Sequence, residues 1–308
     1  MKPYNDRRVL VEYARIHRVV VEEPLQPLPD FGSDLFRLLT EADGSGYWRE
    51  REWLLGNLEA TRSPFGGIQD ITGRFGWYAD IPSADVPPPY DPDTKYWDDD
   101  LGRARHGALA LFLVDPPSQW VAVTSRAGDV STAGFAHALA NLLNKGEYQT
   151  LVQHPERPEV DWLVDTVTER GVFDSWARSV DRIGKIRISF HLPNPNPTPD
   201  IAPIVNYLNE MAGTKGAIEA EARDGGSLDP FGSELTRSGL AMVDQDYGSV
   251  TAHGQRGAEE SHFYSAGHVA KDTIRAEVAA ATPNVPGVFA KIRASLAARL
   301  TRGGNNAT

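Results

Sequence analysis

Residues 173–200 read FDSWARSVDRIGKIRISFHLPNPNPTPD, and the fold turns on where its helical period gives way to strand alternation. Phe173, Trp176, Val180 and Ile183 fall within about 80° of one another at 100° per residue, which predicts an amphipathic helix over 173–185. Arg178, Arg182 and Lys185 fall on the opposite side, flanked by Asp174 and Asp181. KIRISFHL (185–192) then reads as a strand. From Pro193 to Pro199 proline occupies every second position. Each proline lacks an N–H, so an interior strand cannot continue past Leu192. Each also pushes the residue before it (Asn194, Asn196, Thr198) out of the helical region and into extended, polyproline-type geometry. The stretch is therefore a stiff strand-to-helix connector, with Asp200 placed to cap the next helix. His191, at the strand end, reads as structural, because no second ligand or base stands at a readable spacing.

Downstream, DIAPIVNYLNEMAG (200–213) predicts a helix ending at Gly213. IEAEARD (218–224) and LAMVDQDYGSVTAHG (240–254) read as sheet, the second as a hairpin with Asp246-Tyr247-Gly248 in the turn. A helix is expected near 265–280. A last amphipathic helix starts at about Pro286, with Phe289, Ile292, Leu296 and Leu300 on its apolar stripe. Upstream, VLVEYARIHRVVV (9–21) predicts a strand. SDLFRLLTEAD (33–43) predicts a helix with Ser33 as cap and Leu35, Leu38 and Leu39 on one side. Residues 47–107 are aromatic and turn-rich and read as short strands. ALALFLVDPPSQWVAVTSR (108–126) is strand, Asp-Pro-Pro turn, strand. Ser131 or Thr132 then caps a helix that stops at Gly146. The linker-like EYQTLVQHPERPEV (147–160) places a domain boundary near 155. The expected architecture is a two-lobed α+β fold of mixed or antiparallel sheets with packed helices, its domains spanning 1–155 and 156–308.

The chain has 308 residues and is 41% hydrophobic, enough for two lobes each with a core. No apolar run approaches the ~20 residues that span a membrane. The N-terminus carries charges where a signal peptide needs an apolar stretch, so a cytoplasmic protein is expected. There are no cysteines, which excludes disulfides, thiolate metal sites and cysteine nucleophiles. The net charge of −11 opposes non-specific nucleic-acid binding, but its distribution is uneven. Residues 1–21 and 170–193 each hold five basic and two acidic groups, and 291–308 hold four basic and no acidic groups.

No dinucleotide, phosphate-loop, zinc-protease or nucleophile-elbow motif is present. The best catalytic candidate is the expected C-terminal hairpin. There Asp244, Asp246 and His253, with Glu259, Glu260 and His262 downstream, could converge on a hard cation as a metal-dependent nuclease or toxin. Asp-Tyr-Gly is ordinary turn chemistry and Glu259-Glu260 lies in a polar loop, so a solvated hairpin turn is the better reading. Phe75, Trp77 and Tyr78 could stack bases, although such a cluster is more often core. The cations of 173–187 are the more informative feature, since Lys and Arg on an exposed face are the footprint of phosphate contact.

Three stretches carry a resemblance: ALALFLVDPPSQWVAVTSRAGDVSTAGFAHALANLLNK, RIGKIRISFHLPNPNPTPDIAPIVNYLNEMAG with its Pro-Asn-Pro step, and IEAEARDGGSLD through GLAMVDQDYGSVTAHG. In pattern, from about residue 105 onward, the chain resembles the RexA-like phage-exclusion proteins. The resemblance implies a cytoplasmic, homodimeric DNA-binding protein acting in prophage-encoded antiviral defence (abortive infection), with a small membrane protein as partner and no catalytic centre. It carries over no contact residue. Charge alone selects Arg178, Arg182, Lys185 and Arg187, with Lys291, Arg293, Arg299 and Arg302, as contacts to double-stranded DNA without sequence preference. No cofactor, metal or small-molecule substrate is expected. An interaction protein without a nucleic-acid role is the third reading.

Overall fold

The computed structural model describes residues 6–20, 29–41, 45–64, 66–79, 88–98, 106–125, 130–192, 199–277 and 285–304. In chain order the elements are β1 (Asp6–Val20), α1 (Phe31–Glu41), β2 (Ser45–Trp48), β3 (Arg51–Arg62), β4 (Ile68–Ala79), β5 (Tyr90–Asp91), β6 (Tyr96–Trp97), β7 (His106–Asp115), β8 (Trp120–Ser125), α2 (Thr132–Gln153) and β9 (Val160–Thr166). They continue with α3 (Val172–Ser179), β10 (Arg182–His191), α4 (Ala202–Glu210), β11 (Lys215–Glu221), α5 (Glu234–Asp244), β12 (Gly248–Arg256), β13 (Glu259–Tyr264), β14 (Lys271–Glu277) and α6 (Val285–Gly304). The class is α+β, built on antiparallel sheets. No helix among the described residues is long and apolar enough to cross a membrane.

Contacts divide the chain into two units that are discontinuous in sequence. Unit 1 is Met1–Ile16, Glu22–Val164 and Lys271–Thr308; unit 2 is His17–Val21 and Asp165–Ala270. A single cut near 155 would assign β14 and α6 to the second half, whereas both belong to unit 1. The reason is strand pairing, because β14 lies antiparallel beside β1 from Asp6↔Glu277 to Glu12↔Lys271.

Unit 1 is a sheet of order β14-β1-β8-β7-β4-β3-β2, with β9 added beside β1. The β7–β8 hairpin turns at the expected Asp-Pro-Pro step. One face buries Ala14, Leu55, Phe75, Phe112 and Val123 against Leu35, Leu38 and Leu39 of α1 and Phe135, Leu139 and Leu142 of α2. Alternation sends Tyr13 and Asp70 to the other face, where they bond Ser295 and Arg293 of α6. Ser131 caps α2 as expected, its side chain accepting from Gly134 N at 3.1 Å. The helix does not stop at Gly146 but runs to Gln153. Glu147, one residue further, is buried, and it accepts from Arg157 Nε at 2.8 Å and from the Trp162 indole at 3.1 Å. Helix α1 begins two residues before its expected cap. Asp30 takes that role, accepting from Ser33 N at 3.0 Å.

Unit 2 is a four-stranded antiparallel sheet of order β11-β10-β12-β13. Ile186, Ile188, Phe190, Val250, Ala252 and Phe263 face a core completed by Phe173 of α3, Ile204 and Leu208 of α4 and Leu240 and Val243 of α5. Three expectations change here. The helix over 173–185 ends at Ser179; Val180 is already extended (φ −100, ψ 146), and Arg182, Lys185 and Arg187 stand on a strand. A register shift at Gly184 reconciles the two periods, since one extra residue lets both Ile183 and Ile186 turn inward. Residues 240–244 form the end of α5, capped by Ser233, instead of the first arm of a hairpin. The helix expected near 265–280 is a short 3-10 turn, Ser265–Gly267, followed by β14. The proline connector 193–198 lies outside the described residues. Asp200 falls in a 3-10 turn, Pro199–Ile201, that leads into α4.

Candidate nucleic-acid interface

Helices cover one face of the unit 2 sheet, and strand alternation assigns the residues of the other. Register places Glu221, Lys185, His253 and His262 in one cross-strand row, and Glu219, Arg187, Thr251 and Tyr264 in the next. Arg187 and Tyr264 are about half exposed, at 54% and 50%. His262 Nδ1 lies 3.1 Å from His253 Nδ1, and its ring stacks on Tyr264 at 6.3 Å with an interplanar angle of 24°. Where the bulge at Gly184 bends β10, Arg182, His253, Gln255, Glu260 and His262 line a cavity of about 200 Å³. Arg182 Nε is buried there without an acceptor among the described residues.

The electrostatics of the face are mixed. Lys185 Nζ and Arg187 donate to the same carboxylate, Glu219, at 2.7 and 2.9 Å. The Lys185 hydrogen bond, then its charge, hold the Glu219 carboxyl below the usual carboxylate range, and the same bond raises the Lys185 ammonium. Arg178 is exposed at the end of α3 and, with Arg182, Asp181 and Asp229, lines a second cavity of about 310 Å³. Four of the eight cations expected to hold phosphate are thus in unit 2. The other four are on α6, in unit 1. There Arg293 binds the buried Asp70 at 2.8 Å, Lys291 Nζ donates to the Arg275 carbonyl, and Arg299 lies 3.6 Å from Asp272 and over the Tyr13 ring. The side chain of Arg302 is outside the described residues.

The hairpin proposed as a nuclease centre does not form. Asp244 ends α5, Asp246 follows with φ 65, and β12 begins only at Gly248. His253 is five residues along that strand, about 16 Å at strand rise. Phe75 is core, and Trp77 carries Arg51 4.0 Å above its ring, so this aromatic cluster holds unit 1 together.

His191 has neighbours that sequence spacing does not reveal. Its Nε2 is 2.9 Å from Asp165 Oδ2, and His17 Nε2 is 3.8 Å from the same oxygen. The two imidazoles meet edge-on, centroids 4.3 Å apart, and the Tyr247 ring lies 5.3 Å from His17 and 6.0 Å from His191. Both histidines are buried, whereas the Asp165 side chain is 37% exposed. The three come from β1, β9 and β10, with more than a hundred residues between the first two, so no local motif announces them.

Fold and site together define an α+β protein whose second unit is a helix-backed four-stranded antiparallel sheet with exposed cations, imidazoles and a tyrosine on its other face. The chain belongs to the DUF4747 family, a domain of unknown function, which it matches over residues 33–279. No curated protein matches it.

Proposed function

We propose that unit 2 binds nucleic acid across the polar face of its sheet. One observation carries the reading: Lys185, Arg187, His253, His262 and Tyr264 stand in two registered rows on a face that the helices leave exposed. Cations supply the sequence-independent attraction to phosphate, and rings on a flat sheet supply stacking for bases. The sheet favours a single strand, because stacking needs unpaired bases, whereas the charge pattern alone suggested duplex DNA. A cytoplasmic location accompanies this reading. Homodimerisation, a role in phage exclusion and a small membrane-protein partner rest on the resemblance to RexA-like proteins alone.

The test is a fluorescence-anisotropy titration of labelled single-stranded and duplex DNA with the full chain, wild type and Lys185→Ala/Arg187→Ala. The reading expects salt-sensitive binding that the double variant weakens, and a further loss with Tyr264→Ala of about 1–3 kcal/mol for each base that stacks on it. Binding unchanged in all variants would overturn it. Cleavage of the DNA in the presence of a divalent cation would add catalysis to binding.

A further inference from the structure

The His17, Asp165 and His191 side chains have a chemistry that the sheet face does not use. Each offers one ligand atom, and the three atoms lie within 4.8 Å of one another. Around a zinc-type cation with bonds of 2.0–2.2 Å, tetrahedral ligand atoms stand about 3.4 Å apart. The observed separations from Asp165 Oδ2, 2.9 and 3.8 Å, bracket that value.

Hydrogen bonding at His191 points the same way. Its Nδ1 lies 3.4 Å from the Leu192 carbonyl, and its Nε2 lies 2.9 Å from the Asp165 carboxylate. A backbone carbonyl beside one ring nitrogen, with the other nitrogen turned to a carboxylate, is the common outer-shell arrangement of a metal-binding histidine, in which Nδ1–H donates to the carbonyl and Nε2 is left as the ligand atom. His17 supplies a second nitrogen. Its ring is fully buried, edge-on to His191, with its Nε2 near the same carboxylate oxygen. A divalent ion takes both rings as neutral donors and the carboxylate as the anionic one.

We propose that His17, Asp165 and His191 form a binding site for a divalent first-row transition ion. Two imidazoles and one carboxylate suit Zn²⁺, Fe²⁺ or Mn²⁺ better than Ca²⁺ or Mg²⁺, which take oxygen ligands. The imidazoles are buried and Asp165 is partly exposed, so the free coordination position faces solvent on the carboxylate side. This inference does not depend on the nucleic-acid reading.

Tag-free full-length protein, stripped with chelator, is titrated with Zn²⁺ by calorimetry and with Co²⁺ by visible absorption. The expected result is one equivalent of either ion, with nitrogen- and oxygen-ligated Co²⁺ bands. Outer-shell partners alone cost about 10–100-fold in metal affinity, so Asp165→Asn and His191→Ala are expected to lose at least the upper end of that range. His253→Ala/His262→Ala, at the exposed pair, should bind normally. If His191→Ala fails to fold, Asp165→Asn, at a partly exposed position, and the wild-type Co²⁺ spectrum still decide. No stoichiometric binding by wild type would overturn the proposal. Binding lost in His253→Ala/His262→Ala but kept in Asp165→Asn would also overturn it, placing the metal at the exposed pair.

Discussion

Glu219 decides how strongly the sheet face attracts an anion. It bonds Lys185 and Arg187 at once, so a phosphate must compete with a carboxylate already in place. Glu219→Gln leaves the shape of the row and removes the competing charge. All three groups are solvated, where such pairs contribute little, so the gain in nucleic-acid affinity should be at most about fivefold, read by anisotropy at low salt. A loss of affinity would mean that the carboxylate orders the cations for binding. Asp34, in unit 1, is the opposite case. Burial alone would push its carboxyl up, but hydrogen bonds from Arg157 and Arg37 prevail and hold it below the usual range. Asp34→Asn leaves Arg157 facing Glu147 with one carboxylate fewer, and should cost about 3–5 kcal/mol at neutral pH. Because the folded value is the lower one, Asp34's contribution is complete above the unfolded value and fades as the pH falls through the folded value. Urea unfolding of wild type and variant should therefore converge as the pH drops below about 4.

At the scale of elements, sequence reading succeeded where one period acts alone. β1, α1, the β7–β8 hairpin, the cap of α2 and the stripe of α6 all follow from local pattern, and Ile292 and Leu296 are buried as that stripe requires. It failed where two periods overlap. Phe173, Trp176, Val180 and Ile183 satisfy a helix, yet β10 pairs with β12 from Arg182 and with β11 from Lys185, and the bulge at Gly184 hides the change of phase. It failed again at 240–244, where an apolar run too short to distinguish helix from strand precedes Asp246. Gly248 fixes the start of the strand that follows. A Cβ there would stand 2.2 Å from the Ser189 carbonyl oxygen, a backbone atom held in the β10–β12 ladder. Gly248→Ala should therefore destabilise unit 2 by more than a typical surface change, about 1–3 kcal/mol, seen as a lower melting temperature. An unchanged melting temperature would mean that the ladder yields at this point.

At the scale of the molecule, the units follow neither the order of the chain nor the linker-like composition of 147–160. Part of that stretch is helix, and β14 and α6 return to unit 1 through pairing with β1, which composition cannot show. The candidate interface was half legible. The sequence marked Lys185 and Arg187 by charge, but His253, His262 and Tyr264 joined them only through the register of β12 and β13. The His17–Asp165–His191 cluster was not legible, because it needs three strands brought together. Net charge of −11 opposes nucleic-acid binding in bulk, so the account rests on local fields that salt should screen. The most direct measurement is the affinity of the full chain for single-stranded DNA between about 50 and 200 mM salt, beside Lys185→Ala/Arg187→Ala. The account predicts a negative slope of log affinity against log salt, shallower by one to two contacts in the variant. Absence of binding at the lowest salt, or a slope that the variant leaves unchanged, would contradict it.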